Sequence, residues 1–267
     1  MASALNLGWS GDGTLLLLLL ASAAMYGLGV ARLWSRAGIG RGLGFPRVAL
    51  FTAGWIVLII ALVSPLHEVA ERYFYVHMME HELLMAVAAP LLVLSHPLAA
   101  LAWALPSVPQ RWPPLRRLCA AVWRVLTIPL VATVLHGIAI WAWHVPVLFQ
   151  AALANEVVHW AQHASFFVTG LIFWSAIFAS APERSGGAVG HLFATASHMG
   201  LLGALLVFSA RPWFATGSGA LEDQQIGGLI MWAPGCMAYM IAALAMAGRW
   251  IMASGGLGVA YLDRDFR

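Results

Sequence analysis

The sequence predicts an all-α polytopic membrane protein with seven transmembrane helices, formed by a single integral membrane domain over residues 1–267. Of the 267 residues, 61% are hydrophobic and only 9% are charged, whereas a soluble domain carries nearer a quarter charged residues. Seven apolar segments approach the length of about 20 residues that the hydrocarbon core of a bilayer requires. They cover residues 14–34, 46–66, 76–97, 124–143, 159–181, 189–209 and 227–250.

The first apolar segment has the look of a secretory signal, but no positive charge precedes it. Its apolar run continues to Leu33, at the level of Arg32 and Arg36. We therefore expect a first transmembrane helix whose N-terminus faces outside.

The arginines predict the same orientation for the whole chain. All fourteen basic residues are arginine, and only Arg72 and Arg211 fall on the side opposite the connections after helices one, three and five and the C-terminal tail. Cytoplasmic loops carry the excess of positive charge, so the C-terminus is predicted to be cytoplasmic. The net charge of +3 gives no reason to expect nucleic acid as a partner; the lipid bilayer is the expected environment.

The third segment opens with a pair of histidines. His77 and His81 are four residues apart, so on a helix they lie on one face, about 6 Å apart along the axis. Met85 follows one turn below, and Met78 lies beside the pair. Imidazole suits zinc, copper, iron or nickel, and thioether sulfur favours Cu(I). Hydrogen bonding inside a helix bundle would explain the pair equally well.

A second pair with the same spacing, His159 and His163, opens the fifth segment at nearly the same depth. If the two helices are neighbours, four imidazoles converge on one ion or flank two. His144, at the outer end of the fourth segment, is a further candidate. His136 and His198 lie deeper in the fourth and sixth segments.

Two further motifs stand out. The run from Asp223 to Gly235, DQQIGGLIMWAPG, has adjacent glycines that permit close helix packing, and a proline that frees a backbone carbonyl. The run His77-x-x-Glu80-His81 matches an inverted zinc-peptidase pattern, in which the glutamate is the general base. That match is short, and chance explains it in a histidine-rich chain.

Three runs together resemble the seven-helix CtaG-type cytochrome c oxidase assembly proteins, the caa-type oxidase assembly factor family. They are HMMEHELLMAVAAPLLVLSHP, WAWHVPVLFQAALANEVVHWAQHASFF and DQQIGGLIMWAPG, and the resemblance covers roughly Gly54 to Trp250. It implies a multi-pass protein of the bacterial inner membrane with heme-copper oxidase subunits, and other copper chaperones, as partners. In the family the first histidine pair often brackets a glutamine and the second a glutamate; here Glu80 and Gln162 reverse this order.

The leading hypothesis is a non-enzymatic assembly factor that holds copper, as Cu(I), on the periplasmic side and helps to deliver it. The predicted metal ligands are His77, His81, His159 and His163, with His144, Met78 and Met85 as auxiliary ligands. Three alternatives stay open: a heme protein with His136 and His198 as axial ligands, a membrane zinc hydrolase that uses Glu80, and a metal-free scaffold for oxidase subunits.

Overall fold

A computed structural model describes residues 13–105, 113–214 and 219–265, with side chains as far as residue 254. Within these ranges every regular element is helical, as the sequence predicts. Among these residues, six helices are long and apolar enough to cross a membrane, and a seventh span results if one bent pair counts as a single crossing. The orientation across the bilayer stays a prediction from the arginines.

The α-helices are numbered in chain order and joined in places by short π-helical and 3₁₀ segments. They are α1 Gly13–Ala37, α2 Phe45–Leu62, α3 Pro65–Ala70, α4 Phe74–Glu82, α5 Ala89–Leu94, α6 Pro97–Ala104, α7 Pro113–Leu126, α8 Pro129–Trp143, α9 Pro146–Ala154, α10 Glu156–Phe178, α11 Ser185–Val207, α12 Ala220–Ile230 and α13 Cys236–Asp265.

The fourth predicted helix, residues 124–143, is divided into two helices at Pro129. α7 ends at Leu126, α8 begins at Pro129, and the two axes differ by 77°. Proline has no N–H to donate and pushes the preceding residue out of the helical region; Ile128 accordingly has an extended backbone, with φ −65° and ψ 124°.

α7 carries arginines on one side and leucines and valines on the other, and none of its described side chains is buried. The stretch from Pro106 to Arg117 is rich in proline and arginine, and this composition predicts a loop at the lipid headgroups. Residues 106–112 of that stretch lie outside the described residues, and the remainder forms the start of α7.

The third and seventh spans each contain a π-helical segment. In the third span Leu83–Ala88 joins α4 to α5, and in the seventh span Met231–Gly235, which includes Pro234, joins α12 to α13. π-Helical turns are uncommon and occur frequently at functional sites. The first of them begins two residues after His81.

The third span, Phe74–Leu94, lies at the centre of the bundle. Of the most apolar 18 residues of this span, 67% are buried inside the protein, whereas the corresponding share is 28% for α1 and 22% for α2. The largest buried side chains of the main core come from α10 and α13 around it, including Trp174, Phe166 and Tyr239. The third span is therefore the element against which the others position their polar groups.

Candidate metal centre

The histidine pairs meet at one end of the bundle. α4 supplies His77 and His81, and α10 supplies His159 and His163. The start of α10 is fixed by Asn155, whose side chain accepts a hydrogen bond from the backbone N–H of Val158 at 3.1 Å, as expected of an N-cap residue.

The two pairs face each other across the helix interface. Ring centroids are 4.3 Å apart for His77 and His81 and 4.4 Å apart for His159 and His163. Between the helices, His81 lies 5.2 Å from His163, and His77 lies 5.4 Å from His159. The structure thus brings the four principal predicted ligands into one cluster.

Three triads within this cluster place one potential ligand atom of each member within 4.8 Å of the other two. They are His77, His81 and His163; His67, Glu80 and His163; and His77, Glu80 and His159. We call these six residues the histidine cluster.

The ring nitrogens of the cluster are buried and unpaired. His77 is 0% exposed and His81 1% exposed, and none of their four ring nitrogens has a hydrogen-bond partner among the described residues. Nε2 of His159 and of His163 is unpaired in the same way, and the Gln162 amide approaches His77 without reaching hydrogen-bond geometry. A buried polar group without a partner costs about 1–3 kcal/mol. An ion held by imidazole would satisfy these nitrogens, so the residues fit a metal.

His67 and Glu80 join the cluster although the sequence did not mark them as ligands. His67 Nδ1 lies 2.6 Å from Glu80 Oε1, and Glu80 Oε2 lies 3.8 Å from His163 Nε2. Burial lowers the pKa of His67, but the hydrogen bond to Glu80 and the charges of Glu80, Glu71 and Glu68 outweigh burial and raise that pKa overall. The sequence signal for His67 was its predicted depth in the membrane, because this residue directly follows the second apolar segment. The short helix α3 then places it over the cluster.

His144 and Met78 contact each other beside the cluster and belong to none of the three triads. His144 Nδ1 lies 2.6 Å from the carbonyl of Ile140, and Nε2 lies 3.3 Å from the Met78 sulfur. Burial lowers the pKa of His144 to about 4, against the opposing hydrogen bond to Ile140. Met85 is buried one turn further along, and its carbonyl accepts a hydrogen bond from the indole of Trp174 at 2.8 Å.

His136, deeper in the bundle, has both ring nitrogens hydrogen bonded. Thr169 donates its hydroxyl to the Ser165 carbonyl at 2.7 Å, so His136 Nδ1 donates to Thr169 at 3.1 Å and Nε2 accepts from Tyr239 at 3.1 Å. With Nε2 accepting and Nδ1 donating, this arrangement leaves no lone pair for a heme iron, and His136 does not fit the axial role predicted for it.

His198, the other predicted axial ligand, accepts a hydrogen bond from the Trp141 indole through Nδ1 at 3.3 Å. Its Nε2 has no partner among the described residues. One free imidazole nitrogen beside a fully bonded His136 does not make a pair of axial ligands.

A cavity of about 740 Å³ opens beside the cluster. Its wall includes three cluster histidines and several acidic side chains: His67, His159, His163, Glu68, Glu71 and Glu156. Acidic side chains at the mouth of a cavity raise the local concentration of cations. The cluster is therefore buried and yet borders a cavity whose wall carries acidic side chains.

Residues 24–253 match the model of the cytochrome c oxidase caa3 assembly factor family. The chain belongs to this family. No curated protein and no solved structure matches the chain.

In this caa3 assembly factor the Asp223 motif supports the histidine helix. Asp223 accepts hydrogen bonds from the backbone N–H groups of Phe74 at 2.8 Å and Tyr75 at 2.9 Å, which are first-turn donors that have no partner inside their own helix. A Cβ on Gly227 would lie 2.5 Å from the Phe74 ring, so only glycine lets α12 approach this closely. The motif thus fixes where α4 begins, and with it the position of the cluster.

The same motif ends beside a buried acid of the caa3 assembly factor, Glu82. Both carboxyl oxygens of Glu82 are buried with no hydrogen-bond partner in the described part of the chain. A Cβ added to Gly235 would lie 2.7 Å from the Glu82 carboxyl carbon. Gly235 therefore leaves the room that Glu82 occupies between the third and seventh spans.

Proposed function

We propose that this assembly factor holds one copper ion, as Cu(I), in the histidine cluster and passes it to a subunit of a heme-copper oxidase. The observation that carries the proposal is the triad of His77, His81 and His163, which is buried, close enough to share one ion and free of competing hydrogen bonds. From the arginine distribution, the cluster faces the periplasmic side of the bacterial inner membrane.

The choice of copper follows from the metals that the served oxidase contains and from the donor set. Imidazole binds copper well and lacks the permanence of a thiolate cluster, so an acceptor protein can compete for the ion. When bound, copper would draw together the rings of α4 and α10. His77, His81 and His163 would hold it, His159 would be a fourth imidazole, and Met78, His144 and Met85 would surround the ligands.

The test is copper analysis of detergent-purified protein loaded with Cu(I), beside a His77→Ala/His81→Ala/His163→Ala triple variant and a His191→Ala control. His191 bonds Thr133 at the start of α8, and its ring is part of none of the three triads. We expect about one copper per chain in the wild type and the control, and none in the triple variant, because each of the three triads then lacks at least one of its members. Oxidase activity of the expressing cells should fall with the triple variant alone. Equal copper content in all three proteins would exclude this site.

A zinc hydrolase is the second candidate, because both histidines of the His77-x-x-Glu80-His81 motif lie in the cluster. Its general base would have to be Glu80, which is hydrogen bonded to His67. A Glu80→Gln variant that keeps zinc but loses a hydrolytic activity would favour the hydrolase. Wild-type protein that binds neither copper nor zinc would favour the metal-free scaffold.

A further inference from the structure

The histidine cluster offers more ligands than one copper ion uses. It holds five imidazoles and one carboxylate, whereas an ion bound by such side chains takes about three or four of them. The six groups are arranged as overlapping triads, and His163 is common to the triad with His77 and His81 and to the triad with His67 and Glu80. Two of the three triads therefore form two sets of ligands that share His163, and the third triad combines one residue of each set with His159.

The set with His67 and Glu80, which we call the outer set, reaches the surface through His67, whereas the set with His77 and His81, the inner set, does not. The side chain of His67 is 23% exposed, while His77 is 0% and His81 1% exposed. His67 and His163 line the cavity of about 740 Å³, and neither His77 nor His81 is part of its wall. An ion that arrives through this cavity therefore reaches the outer set before the inner set.

The outer set has its own unpaired ligand. Glu80 is 0% exposed, its Oε1 is bonded to His67, and its Oε2 has no hydrogen-bond partner among the described residues. Glu80 Oε2 lies 3.8 Å from His163 Nε2, a separation that leaves room for bonds to one shared cation. A buried carboxylate oxygen without a partner is costly, and a cation would satisfy it.

We propose that copper occupies two alternating positions in this cluster: an outer one held by His67, Glu80 and His163, and an inner one held by His77, His81 and His163. This inference rests on the proposed copper function and adds the route by which the ion loads. His163 is the ligand that stays bound during the transfer, while two ligands of the outer position are exchanged for two of the inner one.

Occupation is alternating because the two positions compete. They share His163, and two cations a few ångströms apart in a buried site repel each other strongly. The chemistry of the ligands gives the direction. A carboxylate suits harder cations, whereas Cu(I) prefers softer donors, so the all-imidazole inner position is the more stable one for Cu(I). The wild-type protein therefore binds one ion, which rests in the inner position.

The test compares loading rate and ligand type in full-length detergent-purified protein. Cu(I) is supplied from a weak coloured chelator, whose loss of colour gives the loading rate, and X-ray absorption counts the bound imidazoles. The variants are His67→Ala and Glu80→Gln for the outer position and His81→Ala for the inner one. His191→Ala is the matched control.

We expect His67→Ala and Glu80→Gln to keep one Cu(I) with the wild-type spectrum but to load more slowly, by about tenfold or more. We expect His81→Ala to keep one Cu(I) in the outer position, with fewer imidazoles and an oxygen ligand. His81→Gln serves as a second variant, and melting curves of both identify any loss of folding.

Three results would overturn the two-position proposal while leaving a copper site in place. They are wild-type loading rates in both outer variants, complete loss of copper in folded His81→Ala and His81→Gln, and two bound ions per wild-type chain. Absence of copper from the wild type is a different result, since it would overturn the proposed function itself.

Discussion

Two groups of buried histidines occupy this bundle, and they differ in whether their ring nitrogens are hydrogen bonded. In the histidine cluster, His77 and His81 have no hydrogen-bond partner among the described residues. Deeper in the bundle, His136 donates to Thr169 and accepts from Tyr239. Residue type and burial are the same in the two groups, so neither property identifies a ligand.

The difference shows what to look for in a membrane bundle rich in histidine. A histidine with both nitrogens bonded adds stability and is already satisfied, whereas a cluster of unpaired imidazoles costs stability unless something else binds it. The first kind ties helices together. The second kind lowers the stability of the ligand-free fold and leaves its nitrogens free to bind a ligand.

The largest expected difference between the two groups is in copper binding. His163→Leu removes the ligand common to both ion positions, and we expect copper affinity to fall by about 100-fold or more. His136→Leu should leave copper content unchanged. Copper per chain after dialysis against a competing chelator measures both, and equal losses in the two variants would remove the distinction between the groups.

The next largest effect concerns the support of the cluster helix. Asp223→Ala removes the carboxylate that binds the N–H groups of Phe74 and Tyr75. Hydrogen bonds to charged groups contribute about 1.5–3 kcal/mol each, so we expect a loss of about 3 kcal/mol in unfolding free energy and weaker copper binding. Glu222→Ala, on the neighbouring exposed residue, is the control. A melting temperature equal to that of the control would show that the cap contributes nothing.

In metal-free protein, substitutions in the two groups should change the free energy of unfolding in opposite directions. His136→Leu leaves the Tyr239 hydroxyl without its partner, and we expect a loss of about 1–3 kcal/mol. His163→Leu removes a buried unpaired nitrogen, so we expect no loss, or a gain of about 1 kcal/mol. Thermal unfolding in detergent after removal of metal is the measurement. Destabilisation by both substitutions would mean that the cluster nitrogens are satisfied after all.

The last expected effect concerns the space around Glu82. Gly235→Ala places a methyl group where the Glu82 carboxyl lies, and overpacking of this kind costs about 1–3 kcal/mol. Gly190→Ala is the control, because a Cβ there meets nothing within 4 Å and alanine favours helix over glycine by about 1 kcal/mol. Melting temperatures should therefore fall for Gly235→Ala and stay level or rise for Gly190→Ala.

The sequence was sufficient for the helical membrane fold and for the two histidine pairs, because apolar length and i, i+4 spacing are local properties. It was insufficient for His67, whose place depends on the fold-back of the six-residue helix α3. It also gave no way to separate His136 from the cluster, since the partners Thr169 and Tyr239 are distant in sequence. The break before Pro129 was visible as a proline, but the 77° bend depends on how α8 packs.

That bend has a consequence for the membrane itself. α8 has 15 residues, so it rises only about 22 Å, less than the hydrocarbon thickness of about 30 Å. With α7 turned away, little other helix continues the crossing on that side. One way in which a bilayer meets such a hydrophobic mismatch is local thinning around the short helix. The lipid annulus of this protein should therefore be asymmetric, with its shallowest point beside α8.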